Sequence, residues 1–181
     1  GPDATKQLTL GNAVLGHNRL AIIDLNERSN QPFLDPSGRY ALIFNGEIYN
    51  YPDLKNLLLA EGVVFQTSSD TEVLLHYLIW KGEEGIVDLN GCFAFAFYDS
   101  FEDELLLARD HMGIKPVLFE ITANGVNFAS ELRPFFYFND QREIDHEALT
   151  DYFRFTYIPA PKTILRNVNK LLPGHYLKVK G

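Results

Sequence analysis

The run Cys92-Phe-Ala-Phe-Ala-Phe-Tyr-Asp99 restricts the possible folds more than any other part of this chain. Phe93 to Tyr98 are all apolar or aromatic, so a strand here has no face for water, and large side chains alternate with small ones along it. Such a strand has to be covered on both sides, with at least one cover made of helices.

The remaining sequence supplies those covers. Pro52 suits a first helical position, Leu54, Leu57 and Leu58 share a face, and Gly62 can close the helix in a left-handed conformation. Ser69-Asp-Thr-Glu72 has the form of a capping box ahead of Val73, Tyr77 and Trp80, with Gly82 as the stop. Asp145 can cap a third helix running to about Phe155. Ala13 to Leu25 reads as two short strands around a polar break, and Arg39 to Ile48 as another strand. Leu105 to Ala108, Val117 to Ile121 and Val126 to Ala129 are further strands, the last two joined through an Asn124-Gly125 turn. Hairpins mixed with helices, without regular strand-helix alternation, define an α+β layered domain. Residues 156–181, broken by Ile158-Pro-Ala-Pro161, read as a tail carrying a peripheral strand or a linker.

Composition removes several functions. The 181 residues suit one domain, and a 46% hydrophobic content is enough for one core. A net charge of −8, with scattered basic residues, cannot neutralise a row of phosphates, so nucleic acid is excluded as a partner. No apolar run is long enough for a membrane span, and the first residues lack the apolar core of a signal peptide. One cysteine precludes an internal disulfide, which favours the cytoplasm. The five histidines never fall at a metal-ligand spacing, so no metal site is expected. Gly11 to Gly16 has the spacing of a phosphate loop, but His17-Asn18 stands where Lys-Ser/Thr is required. Cys92 lies in an aromatic-rich strand, where a thiol is inert.

Three groups remain. Arg19 interrupts two apolar runs and needs either water or an anion. Asn45-Gly46-Glu47 follows the apolar run Tyr40 to Phe44, where a hairpin turn is the simplest reading. Asp70 suits the first turn of its helix, where the macrodipole favours negative charge. All three sit at the ends of strands or helices, where sites are built.

Together, Gly16-His-Asn-Arg-Leu-Ala-Ile-Ile-Asp24, Phe44-Asn-Gly-Glu-Ile-Tyr-Asn50, Ser69-Asp-Thr-Glu72, Leu89 to Asp99, Arg109-Asp-His-Met-Gly-Ile-Lys-Pro116, Phe128-Ala-Ser-Glu131 and Leu172-Pro-Gly-His-Tyr-Leu177 resemble the glutaminase domain of glutamine-hydrolysing asparagine synthetases. The resemblance spans nearly the whole chain. It implies a class II glutamine amidotransferase, an N-terminal-nucleophile hydrolase, with two stacked antiparallel sheets between helical layers (αββα). Residues 1–155 would be the glutaminase domain, without the family's first strand and helix, and 156–181 would lead to a synthetase domain. The implied reaction is hydrolysis of glutamine to glutamate and ammonia, which a synthetase domain uses with ATP and magnesium to amidate aspartate or a related carboxylate. No cofactor is expected in the glutaminase domain itself.

The same resemblance assigns residues. The Asn45 side-chain amide and the Gly46 N–H match the family's oxyanion donors, and Arg19 matches the group that grips the glutamine α-carboxylate. Leu20, Ile22 and Ile23 would line the pocket beside it, and Glu47 and Asp70 match the contacts to the α-amino end. The family's nucleophile is a cysteine at the processed N-terminus whose own amine serves as base. No cysteine precedes Gly1 here, so the chain as it stands is expected to be inactive and to continue from an upstream leader. The expected partners are L-glutamine, the synthetase domain and a second copy of the chain as a homodimer. The competing expectation is a non-catalytic glutamine-binding or scaffold domain.

Overall fold

The computed structural model describes residues 3–20, 24, 26–139 and 141–181. The chain opens with a hairpin, β1 (Ala4–Leu10) and β2 (Ala13–Arg19), which turns at Gly11-Asn12 in full antiparallel register. The sequence reading placed no strand over residues 4–10 and two between Ala13 and Leu25. One unbroken strand runs from Ala13 to Arg19, while Ala21, Ile22, Ile23 and Leu25 lie outside the described residues. Next come β3 (Phe33–Leu34), β4 (Tyr40–Ile48), α1 (Tyr51–Ala60) and α2 (Asp70–Lys81). β5 (Gly91–Asp99) and β6 (Glu104–Arg109) form one hairpin, and β7 (Leu118–Thr122) and β8 (Gly125–Ala129) a second. The short α3 (Phe135–Phe138), α4 (His146–Phe155), β9 (Asn169–Lys170) and β10 (Tyr176–Lys180) complete the chain.

The strands form a five-stranded antiparallel sheet in the order β10-β6-β5-β4-β3, and a second layer made of the β1-β2 hairpin and the sheet β8-β7-β9. β5 is central and covered on both faces, as its composition requires. Phe93, Phe95 and Phe97 point with Leu42, Phe44 and Ile48 of β4 into a core closed by Leu54 and Leu58 of α1 and Val73, Leu74, Tyr77 and Leu78 of α2. Ala94 and Ala96 face the other way, where Leu15 of β2 and Val117 beside β7 pack closely. Small side chains on this face let the two sheets approach, and large ones opposite fill the space beneath the helices. Beyond the second layer, Leu118 joins Phe135 of α3, Leu165 and Val168 in a third cluster. The result is an αββα sandwich. Residues 156–181 supply β9 to one sheet and β10 to the edge of the other, so they belong to both layers rather than trailing from them.

Helix ends follow the sequence signals with one change. The Ser69 hydroxyl accepts the Glu72 N–H, and Asp145 accepts from Glu147 and Ala148. The Glu72 carboxylate does not return to the Ser69 N–H as a capping box requires. It accepts instead from the Gln66 and Thr67 N–H groups and the Thr67 hydroxyl, bracing the loop before α2.

Candidate active site

Asn45 and Gly46 lie within β4, opposite Ala94 and Phe93 of β5, so they form no hairpin turn. Gly46 has φ +143°, and a Cβ there would collide with the Cys92 carbonyl oxygen and stand 2.7 Å from the Phe93 Cα. Glycine is therefore required at this point for the close approach of β5, a reason the sequence alone did not reveal.

Alternation along β4 sorts its groups. Side chains of Leu42, Phe44 and Ile48 enter the helix-side core, so Asn45 and Glu47 project towards the second layer, where β2 ends at Arg19. The amides alternate as well. Beyond Leu42, the edge of β4 away from β5 has no strand neighbour among the described residues, since β3 pairs only with Ala41 and Leu42. Two side chains bond to that edge instead. Gln31 Oε1 accepts the Phe44 N–H at 2.5 Å, and Asp70 Oδ2 accepts the Ile48 N–H at 3.2 Å. By the same alternation the Gly46 N–H belongs to this edge, between the two in sequence.

Asp70 is buried at the start of α2. Its pKa is raised above the usual carboxylate range chiefly by burial, with the Glu47 charge adding to the effect and N–H bonds from Ile48 and Thr71 opposing it. The two carboxylates expected at one end of the substrate are thus electrostatic neighbours. Glu47 itself is exposed.

Arg19, 7% exposed, donates to the Asp24 carbonyl at 2.5 Å, the Asn26 carbonyl at 3.1 Å and Asn30 Oδ1 at 2.9 Å, which folds the loop after β2 around its guanidinium. Leu20 follows it at the surface, and Ile22 and Ile23 lie outside the described residues. Asp24, at φ +47°, accepts from Asn26 in an Asx turn and from the Ser68 N–H at 3.1 Å. The Ser68 N–H, then Asn26, hold its carboxyl well below the ordinary range. Asp24 thereby fastens the Arg19 loop to the segment leading into Asp70. Neither Asp24 nor Gln31 was singled out from sequence. An Asp two residues before Asn26 is a usable Asx-turn signal, whereas Gln31 carries none.

Cys92 is half-buried at the start of β5, where it accepts the Tyr49 O–H at 3.3 Å. Among the described residues no group of three or more His, Cys, Asp or Glu side chains could hold a metal ion, and no helix is long and apolar enough to cross a membrane.

The αββα sandwich thus carries a cation at the end of β2, a carboxylate and an amide edge within β4, and a second carboxylate at the start of α2. The sequence model of the glutamine amidotransferase domain matches residues 1–181, and the chain belongs to that family. It is 39% identical over 180 residues to asparagine synthetase [glutamine-hydrolyzing] 1 of Bacillus subtilis, covering 99% of this chain and 28% of that protein. To asparagine synthetase B [glutamine-hydrolyzing] of Escherichia coli it is 41% identical over 134 residues, covering 74% of this chain and 24% of the relative. The chain thus spans under a third of the length of these relatives. Among solved structures, the glutamine phosphoribosylpyrophosphate amidotransferase of B. subtilis, complexed with ADP and GMP, superposes with a TM-score of 0.56 at 31% identity, over 67% of this chain and 28% of that one.

Proposed function

We propose that this domain hydrolyses the side-chain amide of glutamine, and that the ammonia serves a synthetase domain that amidates aspartate or a related carboxylate with ATP and magnesium. The observation that carries the reading is the β4 edge. The Phe44 and Ile48 amides are held by Gln31 and Asp70, and strand alternation assigns the Gly46 amide to the same edge between them.

Attack on an amide carbonyl puts negative charge on its oxygen, and that charge requires donors fixed in advance at about 3 Å. The Gly46 N–H and the Asn45 side-chain amide serve as those donors. Arg19 takes the α-carboxylate, to which its planar fork is matched, and Glu47 with Asp70 takes the α-ammonium. Leu20, Ile22 and Ile23 line the pocket beside Arg19. In the resembled family the thiol of an N-terminal cysteine attacks the glutamine Cδ, its amine carries the proton to departing ammonia, and water then cleaves the thioester to glutamate. That cysteine would precede Gly1, so a protein beginning at Gly1 should bind glutamine without turning it over. ATP and magnesium belong to the synthetase domain. The working form is cytoplasmic, with a homodimer as its expected assembly.

The test is ammonia release from glutamine by the full-length protein. Release that disappears when the N-terminal cysteine is changed to alanine supports the proposal. Glutamine binding without release leaves the non-catalytic glutamine-binding or scaffold reading.

A further inference from the structure

We propose that Gln31 is a positioning residue for the oxyanion donors, acting as a substitute strand partner that sets where Asn45 and Gly46 stand relative to α2. The inference rests on the glutaminase reading and deepens it. β3 pairs with β4 through Phe33↔Leu42 and Leu34↔Ala41. Carried two residues further, that register puts Gln31 opposite Phe44, just past the end of the paired stretch. There the side chain takes over from the backbone. Oε1 accepts the Phe44 N–H at 2.5 Å, and Nε2 donates to the Thr71 hydroxyl at 3.4 Å. Gln31 is 6% exposed and both bonds are buried, so water cannot replace either one.

The two bonded residues are sequence neighbours of the proposed machinery. Phe44 precedes Asn45, and Thr71 follows Asp70. The residue before Gln31 completes the arrangement, because Asn30 Oδ1 accepts from Arg19 at 2.9 Å. The dipeptide Asn30-Gln31 therefore touches the carboxylate grip, the oxyanion strand and the helix bearing the ammonium contact. With Asp70 holding Ile48, Gln31 holds the other end of the Asn45-Gly46-Glu47 segment. Oxyanion donors lose their effect when displaced by about 1 Å, so a bond that fixes this segment controls turnover more than affinity.

The experiment measures glutaminase kcat and KM in the full-length protein, with amide hydrogen exchange across residues 44–48, for Gln31→Met, Gln31→Glu and Thr71→Val. Methionine keeps the side chain's length and removes its hydrogen bonds, and should lower kcat by about tenfold or more while KM stays within about threefold, with faster exchange in the segment. Glutamate restores an acceptor for the Phe44 N–H and should keep kcat within about threefold of wild type. Thr71→Val removes only the weaker bond and should behave like glutamate. A folded Gln31→Met protein with wild-type kcat overturns the inference while leaving the glutaminase reading intact. If Gln31→Met does not fold, Gln31→Glu decides: retention of kcat supports the inference and a tenfold loss contradicts it. A wild-type protein that releases no ammonia overturns the reading and the inference together.

Discussion

The Asp70 carboxylate accepts the Ile48 N–H at 3.2 Å, two residues beyond Gly46, and so joins the first turn of α2 to the strand that carries the proposed oxyanion donors. One buried carboxylate thus holds the strand in place and, in the proposed function, takes the substrate's ammonium. Its raised pKa shows that burial makes its charge costly. A carboxyl whose pKa is higher folded than unfolded favours the native state at low pH, and that contribution is lost as pH rises through the folded value. Asp70→Asn keeps an acceptor for Ile48 and removes the buried charge. Denaturant titration at pH 7 should find the variant no less stable than wild type, while calorimetry finds weaker glutamine binding.

The same shift predicts a pH dependence. The carboxylate must be ionised to attract an ammonium, so glutamine affinity should fall as pH drops through a value above the usual carboxylate pKa of about 4. Binding isotherms between pH 4 and 8 should show this step in wild type and not in Asp70→Asn.

Gly46→Ala should be among the most damaging single changes in the domain. The added methyl meets the β5 backbone, and alanine rarely adopts φ +143°. Gly38, at φ +73° with open space around its missing Cβ, isolates the backbone part of that cost. Gly38→Ala should cost about 1 kcal/mol, and Gly46→Ala roughly 3 kcal/mol or more, by denaturant unfolding.

Arg19→Lys keeps the charge and loses the fork that reaches the Asp24 and Asn26 carbonyls and Asn30. Glutamine KM should rise by about tenfold or more, and limited proteolysis should open the segment between Arg19 and Asn30.

The fold was legible wherever side-chain alternation reports burial. Phe93, Phe95 and Phe97 against Ala94 and Ala96 announced a doubly covered strand, and Ser69 and Asp145 announced helix starts. β1 was not legible, because Thr5, Lys6, Gln7 and Thr9 are exposed and leave little apolar signal on a strand that carries one side of a hairpin. The tail was legible only as far as a peripheral strand. β10 alternates exposed and half-buried residues, as an edge strand does, and nothing in that pattern shows that its partner is β6. At the site, Arg19 and Asp70 were visible as charged groups at element ends, and Asn45 as a polar group after an apolar run, although it proves to lie inside β4. Gln31 and Asp24 were not, because their importance comes from the partners that folding brings to them across 13 and 44 residues of sequence.

The most direct test of the account is the turnover of glutamine by full-length protein with and without the Asn45 amide. The account predicts ammonia release by wild type, and a fall in kcat of about 10²-fold or more in Asn45→Ala with a much smaller change in glutamine binding. Unchanged turnover in Asn45→Ala would contradict the oxyanion assignment on which the proposed function depends.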